Sequence, residues 1–186
     1  FISDPLHLLD YCLINDGGVA WIMTTPDRAK NLKHKPGYVS GFARQDDFSQ
    51  NSLPPDDFWY PGLQKVASQV YERAGISRND IDGLMIYDNF SPTVLFALEG
   101  MGFCKQGEAG EFVRNGTLQL GKGRWPTNTS GGHLSESYMQ GWALIVEGVR
   151  QLRGTLEHGR QIPNCKALQF LLATAVSGSI ILRNDA

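Results

Sequence analysis

The chain has 186 residues, of which 41% are hydrophobic and 19% charged, and its formal net charge is −2. That balance suits a globular core and argues against disorder, a basic nucleic-acid surface or a polybasic membrane surface. The three cysteines, Cys12, Cys104 and Cys165, are widely spaced without a CxxC pair, so a zinc site or disulfide framework is not expected and a reducing compartment, the cytoplasm, is.

In chain order, the apolar run "GGVAWIMT" (17–24) follows a turn-like "NDGG" and predicts a buried strand. "PDRAKNLK" (26–33) predicts a helix with Thr25 as its cap and Pro26 at its first position. "PGYVSGFARQ" (36–45) predicts another strand, and 46–57 a polar, proline-rich loop. Residues 61–74 carry the clearest helical period, through Leu63, Val66, Ala67, Val70, Tyr71 and Ala74, with Gly75 as the residue that ends it. A turn and a short strand follow at 83–87, after which Ser91 and Pro92 should cap and open a helix, "TVLFALEGMGF".

The glycine-containing 104–124 region and "WPTNTSGGHLSES" read as irregular chain. A helix is expected from about 138 to 153, with Gly154 after its end. Two apolar stretches, "KALQFLLATA" and "SGSIILRN", read as antiparallel strands joined at Val176–Ser177–Gly178. No apolar run is long enough for a membrane-spanning helix. Alternating strands and helices, closed by a strand pair, give an α/β class with a mixed sheet.

Two stretches carry candidate chemistry. Tyr87, Asp88 and Asn89 lie where a buried strand meets a helix start, and strand carboxyl ends are where α/β folds bind ligands. "NTSGG" offers Asn128, two hydroxyls, and Gly131 and Gly132, whose backbone can approach a ligand closely. His133, Ser135, Glu136, Ser137 and Tyr138 follow, a denser polar group than a helix cap requires. Taken alone, each stretch has an ordinary explanation: a packed tyrosine, turn formers, a glycine turn and a solvated histidine.

Read in order, "LINDGGVAWIMT", "ERAGISRNDIDGLMIYDNFSPTVLFALEGMGFC" and "NTSGGHLSESYMQGWALIVEGVRQLRG", with the final hairpin, resemble the C-terminal half of the thiolase superfamily. The nearest likeness is to its sterol-carrier and lipid-transfer branch. The resemblance implies a thiolase-like fold, with residues 1–25 the end of the N-terminal half and 26–186 the C-terminal domain. The start at Phe1, with no basic-then-apolar leader, fits a C-terminal fragment or a subunit that needs another chain.

The departures from the thiolase pattern are specific. Ser137–Tyr138–Met139 stands where thiolases have Gly-His-Pro, and Tyr87-Asp88-Asn89-Phe90 where they have Asn-Glu-Ala-Phe or His-Asp-Cys-Phe. In thiolases those two positions hold the thioester oxygen. The acid/base cysteine of the closing hairpin is missing, with Ala175 near its place and Cys165 about ten residues too early. Ser177 reads as turn chemistry and Cys165 as a buried or loop thiol.

Paired tyrosines without the cysteine resemble the lipid-transfer-type aldolases of steroid side-chain degradation. The resemblance implies retro-aldol cleavage of a β-hydroxyacyl-CoA, a 17-hydroxy steroid 20-carboxyl-CoA giving a 17-keto steroid and propionyl-CoA. It implies Tyr87 and Tyr138 as catalytic residues, with Asp88, Asn128, Gly131, Gly132, His133 and Glu136 in support. It implies no metal and no cofactor beyond the CoA thioester itself. It also implies a homodimer with a thiolase-type interface and a small OB-fold, zinc-ribbon partner. Two other readings stay open: a sterol-carrier-type thiolase or acyltransferase, and a non-catalytic acyl-CoA or lipid-binding protein. Chemically, a phenol serves as a donor at neutral pH and as a base only if its pKa is lowered. His133 could lower it; Asp88 and Glu136 would raise it.

Overall fold

The computed structural model describes residues 1–46, 56–157 and 159–185. Its centre is a four-stranded mixed sheet of β1 (Tyr38–Asp46), β2 (Gly83–Ile86), β3 (Ala167–Ala173) and β4 (Val176–Arg183), in the order β1-β4-β3-β2. β4 runs antiparallel to both its neighbours, β1 and β3, while β2 and β3 are parallel. The mixed sheet inferred from the sequence is therefore present, and its helices lie on both faces.

Alternation along the strands divides the core in two. Leu84, Ile86, Leu171 and Ile181 face α2 (Trp59–Ala74) and α3 (Ser91–Gly100), meeting Leu63, Val66, Val70, Ala97 and Leu98. Met85, Leu168 and Leu182 face the other way, against Leu144 and Leu152 of α6 (Trp142–Arg153). A helical period of 3.6 and a strand period of 2 thus converge on one three-layer packing. Gly75 and Gly154 end α2 and α6 in the left-handed conformation, as their positions in the sequence suggested.

Several expected elements differ. Residues 17–24 form no strand, and Ile22 and Met23 are exposed; an apolar run becomes a strand only where it has a partner to bond. The helix expected over 26–33 is the single turn α1 (Pro26–Ala29). Most of the expected 46–57 loop lies outside the described residues. Ser91 is the first residue of α3 rather than its cap; its hydroxyl donates to Asp10 Oδ1 at 2.5 Å, drawn off by an acceptor distant in sequence. The irregular regions contain two short helices, α4 (Ala109–Arg114) and α5 (Gly132–Ser135). The β3–β4 turn falls at Thr174–Ala175, two residues earlier than expected, where Thr174 Oγ1 donates to Val176 O at 3.0 Å. Among the described residues no helix is long and apolar enough to cross a membrane.

Candidate active site

The site grows from the carboxyl end of β2. In the parallel β2–β3 ladder, alternate residues of β2 point away from β3. Ile86 is one of them, and Asn128 satisfies it: its Oδ1 accepts Ile86 N–H at 2.7 Å and its Nδ2 donates to Ile86 O at 2.8 Å. The backbone completes the edge, Leu84 N–H donating to Pro126 O and Asn128 N–H to Leu84 O. Asn128 thus occupies both ends of its amide in holding β2, and its backbone takes a positive φ of 46° to do so.

Tyr87 follows directly, its N–H still donating to Leu171 O at 2.8 Å and its carbonyl accepting the Thr93 hydroxyl. The chain then turns, leaving Asp88 buried beneath α5. Asp88 Oδ1 accepts His133 N–H at 2.8 Å, bonding a first-turn donor that the Gly131 cap has no side chain to satisfy. Gly132 is required here: φ is +63°, and an added Cβ would stand 2.2 Å from Asp88 Oδ2. Gly131, at φ +107°, makes the preceding turn, its N–H donating to Asn128 O.

His133 is fully buried. Its Nε2 accepts Gly141 N–H at 3.0 Å, so the ring proton belongs on Nδ1. Nδ1 lies 3.1 Å from Asp88 Oδ1 but forms no aligned hydrogen bond, so the contact is electrostatic. With both nitrogens so engaged, His133 meets the tyrosines by ring contact alone, edge-on to Tyr87 at 4.5 Å and to Tyr138 at 5.1 Å between centroids. It makes no hydrogen bond to either phenol, so the pKa-lowering role that the sequence allowed for it is absent.

The hydroxyls of Tyr87 and Tyr138 are 2.8 Å apart, although 51 residues separate them. Gln140 Oε1 lies 3.4 Å from the Tyr87 hydroxyl, a longer contact. Tyr87 is buried and Tyr138 half-buried. Burial pushes the Tyr87 phenol above its ordinary range, and the Tyr138 hydrogen bond, the Tyr138 charge and Cys12 add to it. The expected push from Asp88 and Glu136 is not the cause. Glu136 is exposed, and among the described residues its carboxylate takes no hydrogen bond or ion pair. The structure therefore gathers Tyr87, Tyr138, Asp88, His133 and Gly132 in one cluster, with Asn128 and Gly131 behind it and Glu136 outside.

Four contributors escaped the sequence reading. Gln140 and Gly141 read as helix, yet α6 begins only at Trp142; Gly141, at φ +84°, lets the chain pass within reach of the Tyr87 ring, where a Cβ would sit 3.0 Å from Cδ2. Asn15 and Cys12 lie in an irregular stretch that gave no signal of nearness to either tyrosine. Behind the cluster is a buried polar network. Thr129 donates to Glu147 Oε1 at 2.7 Å, Gln151 donates to Thr129 at 2.8 Å, and Arg160 pairs with Glu147 at 2.9 Å. Among the described residues no cluster of three or more His, Cys, Asp or Glu side chains could hold a metal ion. Cys165 is buried and unpaired, with burial pushing its thiol up to about 12.

Known proteins share this arrangement of elements. Residues 48–180 match the thiolase C-terminal domain-like family model. A steroid side-chain-cleaving aldolase of Thermomonospora curvata is 40% identical over 159 residues, covering 83% of this chain and 40% of that protein. The 17-hydroxy-3-oxo-4-pregnene-20-carboxyl-CoA lyase of Mycobacterium tuberculosis is 37% identical over 182 residues, covering 96% of this chain and 46% of that protein. The solved Ltp2-ChsH2(DUF35) aldolase superimposes with a TM-score of 0.86 at 35% identity, covering 98% of this chain and 48% of that chain. The chain thus spans less than half the length of these relatives. By its matched residues, its mixed sheet and its flanking helices, the chain belongs to the thiolase C-terminal domain-like family.

Proposed function

We propose that the protein carrying this chain cleaves a β-hydroxyacyl-CoA thioester by a retro-aldol reaction at the Tyr87–Tyr138 pair. The observation that carries the reading is the 2.8 Å contact between two phenol hydroxyls at the carboxyl end of β2. A retro-aldol step removes the proton from the β-hydroxyl, breaks the Cα–Cβ bond to leave a carbonyl, and places the bonding pair on a thioester enolate. That enolate is then protonated at Cα. Proton and electron balance closes within the substrate, so neither water nor a redox cofactor enters.

The enolate oxygen needs donors where its charge develops. Tyr87, held protonated by burial, is suited to donating a hydrogen bond or a proton. Gln140 and Tyr138 are the polar groups nearest it. For a 17-hydroxy steroid 20-carboxyl-CoA, the fragments are a 17-keto steroid and propionyl-CoA. The names of the two aldolase and lyase relatives support that substrate class.

The rest of the protein belongs to the same reading. Residues 1–25 are assigned to the end of a preceding thiolase-like half and 26–186 to the C-terminal domain. Exposed large apolar side chains at Leu8, Leu9, Ile14, Ile22 and Met23 support that division. A DUF35-type partner, with an OB-fold and zinc ribbon, is assigned on the likeness to the Ltp2-ChsH2(DUF35) aldolase. A homodimer and a cytoplasmic setting complete the proposal.

The test uses the complete enzyme with its partner. Tyr87→Phe and Tyr138→Phe should each lower kcat by about 10²–10⁴-fold, the range of a positioned proton donor or acceptor. Their folding, followed by circular dichroism, should be unchanged. Wild-type turnover by either variant overturns the assignment. Thiolysis of a β-ketoacyl-CoA, without cleavage of the hydroxyacyl-CoA, would identify a thiolase instead.

A further inference from the structure

Residues 11–17 belong to no helix or regular strand, yet they touch both tyrosine-bearing segments. Tyr11 bridges to Phe90, and Cys12 N–H donates to Asn89 O at 3.0 Å, both on the Tyr87 side. Leu13 N–H donates to His133 O at 3.1 Å, on the opposite side. Asn15 Oδ1 then accepts the N–H of Tyr138 at 2.9 Å. Gly17 lies against Met139, where an added Cβ would stand 2.7 Å from Cε. One short stretch of chain therefore ties together two segments that are 51 residues apart at their tyrosines.

The Tyr138 segment depends on that support. It lies between α5 and α6, and Gln140 holds a positive φ of 51°. Ser137 N–H bonds back to Gly132 O and Gly141 N–H to His133 Nε2. Between those two anchors, the Tyr138 N–H finds its acceptor outside the segment, on Asn15. The peptide plane at Tyr138 sets the direction in which its Cα–Cβ bond leaves the chain, and so where its hydroxyl reaches.

We infer that Asn15 is a positioning residue for Tyr138, a role that rests on the proposed work of Tyr138 on the substrate. The side-chain carbonyl of Asn15 fixes the Tyr138 backbone from across the site and holds its phenol at the Tyr87 hydroxyl. Asn15 itself meets no reacting atom in this role.

The experiment uses the full-length protein with its partner and a 17-hydroxy steroid 20-carboxyl-CoA as substrate. Asn15→Ala should lower kcat by about tenfold while leaving KM within about twofold, because a displaced catalytic group costs rate before binding. Asn15→Asp keeps an acceptor oxygen at the same distance and should restore kcat to within about threefold of wild type. In the Tyr138→Phe background, Asn15→Ala should change kcat by less than about twofold, since the two act as a unit. Amide hydrogen exchange in the 136–141 peptide should quicken in Asn15→Ala and recover in Asn15→Asp.

Unchanged exchange in Asn15→Ala, or a rate loss that adds fully to that of Tyr138→Phe, overturns the inference. Absence of cleavage by the wild-type enzyme would instead sink the aldolase reading, and hydrogen exchange alone would then decide whether Asn15 holds Tyr138.

Discussion

Tyr87 shows how burial selects a role for a side chain. In water a phenol ionises near pH 10, too high to act as a base at neutral pH. Inside the site burial raises that value further, and Tyr138 raises it again, through the hydrogen bond the two hydroxyls share and because a charge on Tyr138 would oppose a second one on Tyr87. Tyr87 therefore keeps its proton at neutral pH. In a difference titration of wild type against Tyr87→Phe, followed by phenolate absorbance, the Tyr87 signal should emerge only above the ordinary tyrosine range. A Tyr87 signal at or below pH 10 would count against its assignment as the donor. Asp88 and His133 were expected near the chemistry from their place in the sequence. What the sequence did not contain is their mutual geometry, in which both spend their polar atoms on the backbone and on each other.

At the scale of elements, the glycine-containing loop before α5 is tied to α6 as well as to β2 and its own turn at Gly131. Thr129 donates to the buried Glu147 and accepts from Gln151, so one hydroxyl links the loop to two successive turns of α6. Gln151 also binds Arg160 O, Ile162 N–H and Gln161, which extends the link to the chain entering β3. Replacing Thr129 by valine keeps the shape but removes both bonds and leaves a buried carboxylate short of a donor. The expected cost is about 1–3 kcal/mol of unfolding free energy, measured by urea denaturation. Activity should fall too, because this loop leads directly to His133 and Tyr138. No period or composition announced this network. Thr129 reads as an ordinary loop residue, and Glu147 and Gln151 read as the polar face of a helix, until the fold turns that face inward.

For the whole molecule, burial has a consequence that pH exposes. The Cys165 thiol is pushed up to about 12, first by burial and then by Asp82, while Tyr87 and Tyr71 are raised chiefly by burial. A group with a raised folded pKa holds its proton in the native state over a window where the unfolded chain has released it. The native state then binds more protons, so stability is intact below the unfolded pKa and falls as pH rises through the window. The protein should lose stability progressively from about pH 9, where an unfolded thiol ionises, and more steeply above about pH 10, where unfolded tyrosines follow. Urea midpoints at pH 8 and pH 10.5 check this, and Cys165→Ala should reduce the difference between them. A flat profile would mean that these groups are solvated in solution.

The amino-acid sequence by itself determined the class of fold and marked the residues of a candidate site. Apolar residues at helical spacing marked α2 and α6, Gly75 and Gly154 marked their ends, and the closing apolar pair marked β3 and β4. These are local signals, carried by side-chain period and backbone preference within a dozen residues. The order of motifs also singled out Tyr87 and Tyr138. Only the tertiary structure decided what those residues meet. Residues 17–24 have the composition of a strand and are none, because strand formation depends on a bonded neighbour rather than on composition. Asn15 and Gln140 carry no local mark of their roles, and Asn128, although legible in "NTSGG", gives no sign that it binds β2, since each acts by hydrogen bonding across the site or along a sheet edge. The 2.8 Å meeting of two hydroxyls follows from β2, α5 and the 11–17 stretch closing together, a relation between distant segments that no single window of sequence contains.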